Sequence, residues 1–256
     1  MALAAGGWPG GWTVLWVTAA MVGARTCAMA TNRVVDRWID ADNPRTQARH
    51  LPRGLLAVRD VRLLAVAGGA LMLVAAAMLN WVCLALAPLA LVCLVGYSYT
   101  KRFTWASHWI LGFTDGIAAG GGWLAVRGEL GWPAVVLWLA LTVWIAGFDI
   151  IYACQDVEVD RAQRLHSVPA RFGIPAALRL ARINHGLTAA ALAGLGLTMG
   201  LGVFYWVGWL AVVVLLIYEH SLVRPGDLSR LDLAFFNVNG YIAVIVLIAV
   251  VGGLWR

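Results

Sequence analysis

Long apolar stretches recur from one end of the chain to the other, and each is long enough to cross a lipid bilayer. A helix needs about 20 mostly apolar residues to span the hydrocarbon core. The 256 residues are 62% apolar and 12% charged, too few polar side chains to cover a water-soluble domain. The sequence therefore predicts an all-α, polytopic membrane protein, a single bundle of about eight transmembrane helices. The eight predicted spans lie at about 12–31, 62–80, 82–99, 106–126, 132–153, 174–198, 203–222 and 237–254.

Basic residues are distributed unevenly among the loops between these spans. The loops after spans 1, 3, 5 and 7, together with the first residues of the spans that follow them, carry 16 of the 19 basic residues. The opposite loops carry only Arg127 and Arg256, and Arg25 falls inside span 1. Because Lys and Arg are retained on the cytoplasmic side, we expect those four loops to face the cytoplasm of a bacterial-type inner membrane. This distribution explains the net charge of +6 without a nucleic-acid partner.

The two largest of these loops begin with similar acidic patterns. The first carries Asn32, Asp36 and Asp40, the second carries Asp156 and Asp160, and the matching aspartates are 120 residues apart. We interpret this as a weak internal repeat within one domain that covers the whole chain, with halves of about 1–126 and 132–256. Two matching motifs on one membrane face indicate one shared site.

The spacing within each motif suggests what the shared site binds. Residues four apart lie on one face of a helix, so each motif forms a polar stripe. Like charges at this spacing repel unless a cation or a basic group lies between them. Oxygen ligands without neighbouring His or Cys favour a hard cation such as Mg²⁺, which commonly bridges to phosphate oxygens. Nearby arginines would bind the rest of a diphosphate.

With these motifs the sequence resembles the UbiA-type family of intramembrane aromatic prenyltransferases. The family's signatures are an N-x-x-x-D-x-x-x-D segment, matched from Asn32, and a Y-x-x-x-D-x-x-x-D segment, matched from Tyr152. Asp149 lies a turn before the second segment, as it does in many family members. The stretch from Tyr97 to Trp105, YSYTKRFTW, is similar to the family's basic Y-x-x-x-K-R segment.

The resemblance implies an enzyme that uses Mg²⁺ to transfer a polyprenyl group from polyprenyl diphosphate to an aromatic acid within the lipid bilayer. The implied metal ligands, which are also the implied catalytic residues, are Asn32, Asp36, Asp40, Asp156 and Asp160. The implied substrate-binding residues are Lys101, Arg102, Tyr97, Asp149 and Tyr152.

Sequences flanking the motifs look most like the menaquinone branch that operates through futalosine. These are GART around Arg25 and the segments DIIYACQD, HSVPARFG and YEHSLV. The resemblance therefore favours 1,4-dihydroxy-6-naphthoate as the acceptor. Two alternatives stay open: a 4-hydroxybenzoate polyprenyltransferase of ubiquinone biosynthesis, and an ion-coupled transporter. The family is usually described with nine helices, whereas only Met1 to Gly11 precede the first span; we expect a misassigned start, or else an absent helix.

Several polar residues lie within or near the predicted spans. Arg25 is seven residues before Asn32 on nearly the same helical face, so we expect it to point into the bundle and bind the acceptor's carboxylate. A salt bridge to Asp115 or a bond to a helix carbonyl is the structural alternative. Solvation at span ends would account for the remaining polar residues, which are His108, His166, His185, Glu219 and His220.

Overall fold

The computed structural model describes residues 2–254, so Arg256 lies outside the described part. A 3-10 turn covers Cys154–Asp156 and a π-helix covers Leu233–Val238. The α-helices are α1 (Ala2–Gly6), α2 (Gly10–Val35), α3 (Arg37–Asp42), α4 (Val58–Leu79), α5 (Trp81–Thr100), α6 (Ser107–Arg127), α7 (Trp132–Ala153), α8 (Val157–Ala162), α9 (Val168–Phe172), α10 (Ile174–Thr198), α11 (Val203–Leu222) and α12 (Asn239–Leu254).

The long helices occupy the positions of the predicted spans. Within residues 2–254, eight α-helices have 16 residues or more, and no β-strand occurs. Six of the eight are long and apolar enough to cross a membrane, where α12 is counted with the π-helix before it and α7 with the 3-10 turn and α8 after it. The other two, α6 and α10, have 21 and 25 residues and carry polar side chains such as Asp115 and Asn184. The all-α, multi-pass membrane architecture is confirmed.

Each half of the chain has its own apolar core. Ala28 of α2, Met72 of α4 and Leu94 of α5 belong to one buried cluster. A larger cluster joins α7, α10, α11 and α12 through residues that include Ile150 and Leu178. Helices α6 and α7, one from each half, pack closely against each other. The two clusters are therefore connected through the contact between α6 and α7.

Glycines allow the closest helix contacts in the first half. A Cβ added at Gly23 of α2 would lie 2.6 Å from the carbonyl oxygen of Gly68 on α4. A Cβ added at Gly68 would lie 2.7 Å from the backbone nitrogen of Cys27. Small residues of this kind let membrane helices approach backbone to backbone. This contact fixes α2, the helix that leads into the first acidic motif.

Loops that follow alternate long helices meet at one end of the bundle. The backbone N–H of His166, after α8, donates to the carbonyl of Lys101, after α5, at 2.6 Å. Arg102 Nη2 donates to the carbonyl of Val35, at the end of α2, at 3.0 Å. At the opposite end, Asn80 Nδ2 donates to the carbonyl of Leu124 at 2.8 Å. The basic loops after spans 1, 3 and 5 therefore lie together.

Candidate functional site

Both acidic motifs lie where a long helix breaks. α2 ends at Val35 and α3 begins at Arg37, while the 3-10 turn over Cys154–Asp156 separates α7 from α8. Asp36 has φ −93° and ψ 6°, and Asp156 has φ −99° and ψ 5°. This sparsely populated backbone region recurs among active-site residues. The continuous stripes expected from the spacing are thus interrupted at equivalent points. The equivalent positions of the two breaks agree with a two-half repeat, which stays a prediction.

Asp36 is buried and surrounded by donors from two helices. Its Oδ2 accepts from Asn32 Nδ2 at 3.0 Å and lies 2.6 Å from Lys101 Nζ. Its Oδ1 lies 3.0 Å from Arg102 Nη2. Because α5 ends immediately before Lys101, that helix brings two positive charges to one carboxylate. The excess positive charge beside Asp36 suits an anionic ligand.

Asp40 retains one carboxylate oxygen without a donor. Its Oδ1 accepts from Arg49 Nη1 at 2.7 Å. Its Oδ2 is buried, lies 3.8 Å from Arg33 Nη1, and has no hydrogen-bond partner within the described residues. Such an atom is uncommon in a folded protein and calls for a further partner. Asp40 Oδ2 is therefore available to a cation.

The loop after the first motif contacts the second motif. Asn43 Nδ2 donates to Asp156 Oδ1 at 2.8 Å. Arg45 binds the same carboxylate with two nitrogens, Nε to Oδ1 at 3.1 Å and Nη2 to Oδ2 at 2.5 Å. Although partial burial disfavours its charge, the hydrogen bonds and charge of Asp156 raise the pKa of Arg45 above its ordinary value. This bidentate pair joins the two halves of the chain.

Tyr152 is held between an arginine and a phenylalanine. Its hydroxyl accepts from Arg45 Nη1 at 3.0 Å, and the Arg45 guanidinium lies 4.9 Å from its ring centroid. The Phe235 ring also stacks on the Tyr152 ring, with centroids 3.9 Å apart. Phe235 belongs to the π-helix Leu233–Val238. π-Helical turns occur frequently at functional sites, and this one reaches the second motif.

The end of the second motif is anchored by polar side chains from its own loop and from the first. Asp160 Oδ2 accepts from Ser167 Oγ at 2.6 Å. Gln163 Nε2 donates to Asp42 Oδ2 at 3.3 Å. All the predicted metal ligands therefore belong to a single network of loops at one end of the bundle.

Asp149 is bound by a histidine inside the bundle. His108 Nδ1 lies 2.6 Å from Asp149 Oδ2, and His108 Nε2 accepts from the backbone N–H of Val168 at 3.2 Å. His108 is 3% exposed. The expectation that solvent at a span end accounts for His108 is therefore wrong. It is wrong too for His185 and Glu219, which are 2% and 0% exposed.

Arg25 of α2, Tyr97 of α5, Asp115 of α6 and Asp149 of α7 form what we call the central polar group, in which Arg25 and Asp115 are exposed. The charges of Asp115 and Asp149 act on Tyr97, and that of Arg25 acts on Asp115. Arg25 is exposed in the structure, so the expectation that it is buried is wrong. Among the described residues no ion pair joins Arg25 to Asp115. Its guanidinium is free to bind an anionic group.

The predicted metal ligands fit Mg²⁺ by their chemistry. Within residues 2–254, no three His, Cys, Asp or Glu side chains converge closely enough to hold a metal by themselves. Mg²⁺ normally keeps several waters and takes only one or two carboxylates together with phosphate oxygens. Carboxylates beside basic side chains match that mode of binding. In the structure, the repulsion expected within each motif is relieved by Arg and Lys.

Sequence reasoning missed the roles of three residues of this site. Asn43 binds Asp156, Ser167 binds Asp160, and His108 binds Asp149. Asn43 and Ser167 each lie a few residues beyond the motif of their own loop, which was the available signal. His108 gave no such signal, since 41 residues separate it from Asp149.

These features define a class: a polytopic helical membrane protein with two acidic motifs joined in one arginine-rich site. Comparison with known proteins gives the family. Residues 1–252 match the model of the UbiA prenyltransferase family. The chain belongs to this family and is a prenyltransferase, so the transporter alternative falls.

Three similar proteins illustrate the match. The 4-hydroxybenzoate octaprenyltransferase of Xanthomonas campestris pv. campestris strain B100 is 31% identical over 255 residues, covering 98% of this chain and 83% of the relative. The apo structure of a UbiA homolog from Aeropyrum pernix K1 has a TM-score of 0.90 at 30% identity, covering 98% of this chain and 92% of that one. A UbiA homolog from Archaeoglobus fulgidus, bound to GPP and Mg²⁺, has a TM-score of 0.71 at 18% identity, with 95% and 88% covered. The name of the first relative favours the hydroxybenzoate alternative over the naphthoate expectation.

Proposed function

We propose that this enzyme transfers a polyprenyl group from polyprenyl diphosphate to 4-hydroxybenzoate in quinone biosynthesis. The observation that carries the proposal is the joining of the two acidic motifs, where Asn43 and Arg45 from the first half bind Asp156 of the second. The name of the Xanthomonas relative supports the acceptor. The Archaeoglobus structure, a fold neighbour solved with GPP and Mg²⁺, supports the type of donor and metal.

In this proposal the basic side chains exchange one anionic partner for another. Lys101, Arg102 and Arg45 now bind carboxylates, and each is about one-third exposed. When bound, Mg²⁺ would neutralise the growing charge of the leaving diphosphate. Asn32, Asp36, Asp40, Asp156 and Asp160 would hold the metal. With the carboxylates bound to the metal, Lys101, Arg102 and Arg45 would bind the diphosphate oxygens instead and stabilise the same charge.

The reaction itself makes one bond and breaks one. The allylic C–O bond breaks and its electron pair leaves with the diphosphate. A ring carbon of the acceptor forms the new C–C bond, and the proton on that carbon passes to the released diphosphate, which is a base. Asp149 would accept the hydrogen bond of the acceptor hydroxyl, making the ring more electron-rich. Apolar helices around the site keep water from quenching the allylic cation.

Sidedness is part of the proposal. The loops that carry both motifs also carry most of the basic residues, and such loops stay in the cytoplasm. We therefore assign the site to the cytoplasmic face of the bacterial inner membrane. Soluble 4-hydroxybenzoate and Mg²⁺ would reach it there, while the polyprenyl tail lies in lipid.

An acceptor panel tests the function directly. Membranes containing the protein are incubated with labelled polyprenyl diphosphate and either 4-hydroxybenzoate or 1,4-dihydroxy-6-naphthoate, with Mg²⁺ or with a chelator. We expect labelled prenyl-hydroxybenzoate and one released diphosphate per product, only when Mg²⁺ is present. Product from the naphthoate alone would overturn the acceptor and restore the menaquinone assignment. Product formation unaffected by the chelator would refute the proposed requirement for Mg²⁺.

Arg25 provides a test of how the acceptor is recognised. We propose that its free guanidinium binds the acceptor's carboxylate, since a planar guanidinium suits bidentate binding. Arg25→Gln should raise KM for 4-hydroxybenzoate about fivefold and leave KM for the prenyl diphosphate nearly unchanged, because the lost contact involves one substrate only. Arg127 is exposed at the last residue of α6, at the end of the bundle opposite the motif loops. Arg127→Gln is therefore the matched control and should change neither constant. Equal increases in both constants for Arg25→Gln would refute the assignment.

A further inference from the structure

The buried imidazole of His108 is fixed in one protonation form by its two neighbours. A backbone N–H can only donate, so the bond from Val168 requires His108 Nε2 to be the acceptor. A neutral imidazole carries its single proton on the other nitrogen. Nδ1 therefore carries the proton and donates it to Asp149 Oδ2 at 2.6 Å. The geometry assigns the tautomer.

This arrangement has a consequence for Asp149. One carboxylate oxygen is bound by a donor that is buried and cannot turn away without leaving the Val168 N–H without an acceptor. The other oxygen, Oδ1, has no partner among the described residues, and the side chain is 27% exposed. Asp149 interacts electrostatically with Tyr97 and Asp115, the members of the central polar group on α5 and α6. Asp149 thus presents one free acceptor oxygen in a fixed direction.

His108 also links Asp149 to the second acidic motif. Ser167 Oγ donates to Asp160 Oδ2 at 2.6 Å, and the next residue, Val168, donates its N–H to His108. A continuous path therefore runs from Asp160 through Ser167, Val168 and His108 to Asp149. Groups that orient a functional side chain in this way commonly affect activity without touching substrate.

We propose that His108 is a positioning residue that fixes Asp149 toward the hydroxyl of the aromatic acceptor through a proton held on Nδ1. The inference rests on the proposed prenyl transfer to a hydroxyl-bearing aromatic acid. The imidazole acts as a donor and acceptor of hydrogen bonds and exchanges no proton with the substrate. This separates its role from that of a general acid or base.

Two substitutions at His108 distinguish positioning from proton transfer. A glutamine amide has a donor nitrogen and an acceptor oxygen, so His108→Gln can bind both Asp149 and the Val168 N–H. His108→Leu fills a similar volume and can bind neither. We expect His108→Leu to lower kcat at least about tenfold and to leave KM for the prenyl diphosphate nearly unchanged, because only the acceptor side loses its orientation. His108→Gln should restore most of the loss. Equal losses of kcat in both variants, or no loss in His108→Leu, would overturn the proposal.

The tautomer can be measured without substrates, which separates this inference from the proposed function. Protein labelled with ¹⁵N-histidine is examined by NMR in detergent, and the signal missing from His108→Gln identifies His108. We expect the proton on Nδ1. A proton on Nε2 would overturn the inference even if the enzyme is active, and absence of prenyl transfer by the wild type would refute only the proposed function.

Val168 offers a matched pair of variants for the same measurement. It is the first residue of α9, where proline is tolerated, and Ser167 before it is extended at φ −131° and ψ 160°, as a residue preceding proline should be. Val168→Pro removes the N–H, while Val168→Ala shortens the side chain and keeps it. Only Val168→Pro should shift the ¹⁵N signal of His108 Nε2, which loses its hydrogen-bond donor, while Nδ1 keeps the proton that it donates to Asp149. Identical ring-nitrogen signals in the two variants would contradict the assignment.

Discussion

Asp36 and Asp156 are the residues on which the joined site depends most. Each lies at a helix break, each is the first aspartate of its motif, and each binds basic side chains. Other carboxylates of the chain lack this setting; Asp60, for example, is exposed in the first turn of α4. The difference in setting predicts a difference in the effect of substitution.

Asp36→Ala or Asp156→Ala should lower prenyl transfer at least about a hundredfold, because each removes a ligand from the site that stabilises the leaving diphosphate. The measurement is the initial rate at saturating substrates and Mg²⁺, with protein in the membrane quantified by immunoblot. Asp60→Ala is the control for loss of a carboxylate and should keep its rate. A near-normal rate for Asp36→Ala or Asp156→Ala would contradict the assigned role.

At this scale the sequence identified the charged residues better than their partners. The four-residue spacing in two loops singled out Asp36 and Asp156 from a single sequence. Their contacts were not predictable, because Asn43 and Asp156 are 113 residues apart and only the packed bundle brings them together. The burial of His185 and Glu219 was missed since hydropathy alone does not distinguish an interfacial position from an interhelical one.

Helices differ in whether their packing leaves room for a methyl group in place of a glycine hydrogen. A Cβ added at Gly68 of α4 would meet backbone atoms of α2 at 2.7 and 2.8 Å, and backbone cannot move aside cheaply. A Cβ added at Gly96 of α5 would meet no atom within 4 Å outside its own helix turn. Both glycines are helical, so alanine gains the same helix propensity, about 1 kcal/mol, at both. Packing alone separates the two substitutions.

Gly68→Ala should destabilise the protein by about 1–3 kcal/mol, since separating α2 from α4 costs more than the gained propensity. Thermal unfolding in detergent measures this as a lower Tm, and we expect prenyl transfer to fall with it because α2 leads directly into the first motif. Gly96→Ala should unfold at the wild-type temperature or slightly above it. Equal unfolding temperatures for the two variants would show that the α2–α4 contact adapts.

A second interhelical connection is polar. Asn239 of α12 accepts from Trp144 Nε1 of α7 at 3.0 Å and donates to Glu219 Oε1 of α11 at 3.1 Å. Glu219 is fully buried, so loss of its donor leaves a polar group without compensation. One amide therefore connects three helices of the second half.

Asn239→Leu should lower stability by about 1–2 kcal/mol for each interhelical hydrogen bond lost, an amount typical of such bonds in membranes. The readout is again Tm in detergent. Thr198→Val is the control, because Thr198 Oγ1 is exposed and bonds only to carbonyls of its own helix. If Asn239→Leu unfolds at the temperature of Thr198→Val, the connection contributes nothing measurable.

The elements illustrate which part of a fold hydropathy can predict. Eight apolar stretches located the eight long helices to within a few residues, because a bilayer requires spans of that length. The breaks at Asp36 and Asp156 were not predicted, since residues four apart fit a continuous helix as well as a broken one. The π-helix before α12 was also not predicted, because hydropathy does not distinguish a π-helix from an α-helix. Both features depend on tertiary contacts at the site.

The arrangement of the whole molecule explains why one site needs both halves. Each half packs around its own apolar cluster, and each contributes one acidic motif at the same end of the bundle. The contacts between motifs are polar: Asn43 and Arg45 to Asp156, and Gln163 to Asp42. A site assembled in this way requires both motif loops to lie on one side of the membrane.

Cysteine labelling tests this requirement and its orientation. Gln47 and Glu158 are exposed residues in the first and second motif loops, and Glu129 is exposed in the loop between α6 and α7 at the opposite end. Single cysteines are introduced at each position after Cys27, Cys83, Cys93 and Cys154 have been replaced by alanine. Because most basic residues lie in the motif loops, a membrane-impermeant maleimide should label Gln47→Cys and Glu158→Cys only in inside-out vesicles. It should label Glu129→Cys only in intact spheroplasts, which controls for vesicle sealing. Labelling of Gln47→Cys and Glu158→Cys from different sides would exclude a shared site, and labelling of both from the outside would place the intact site on the opposite face.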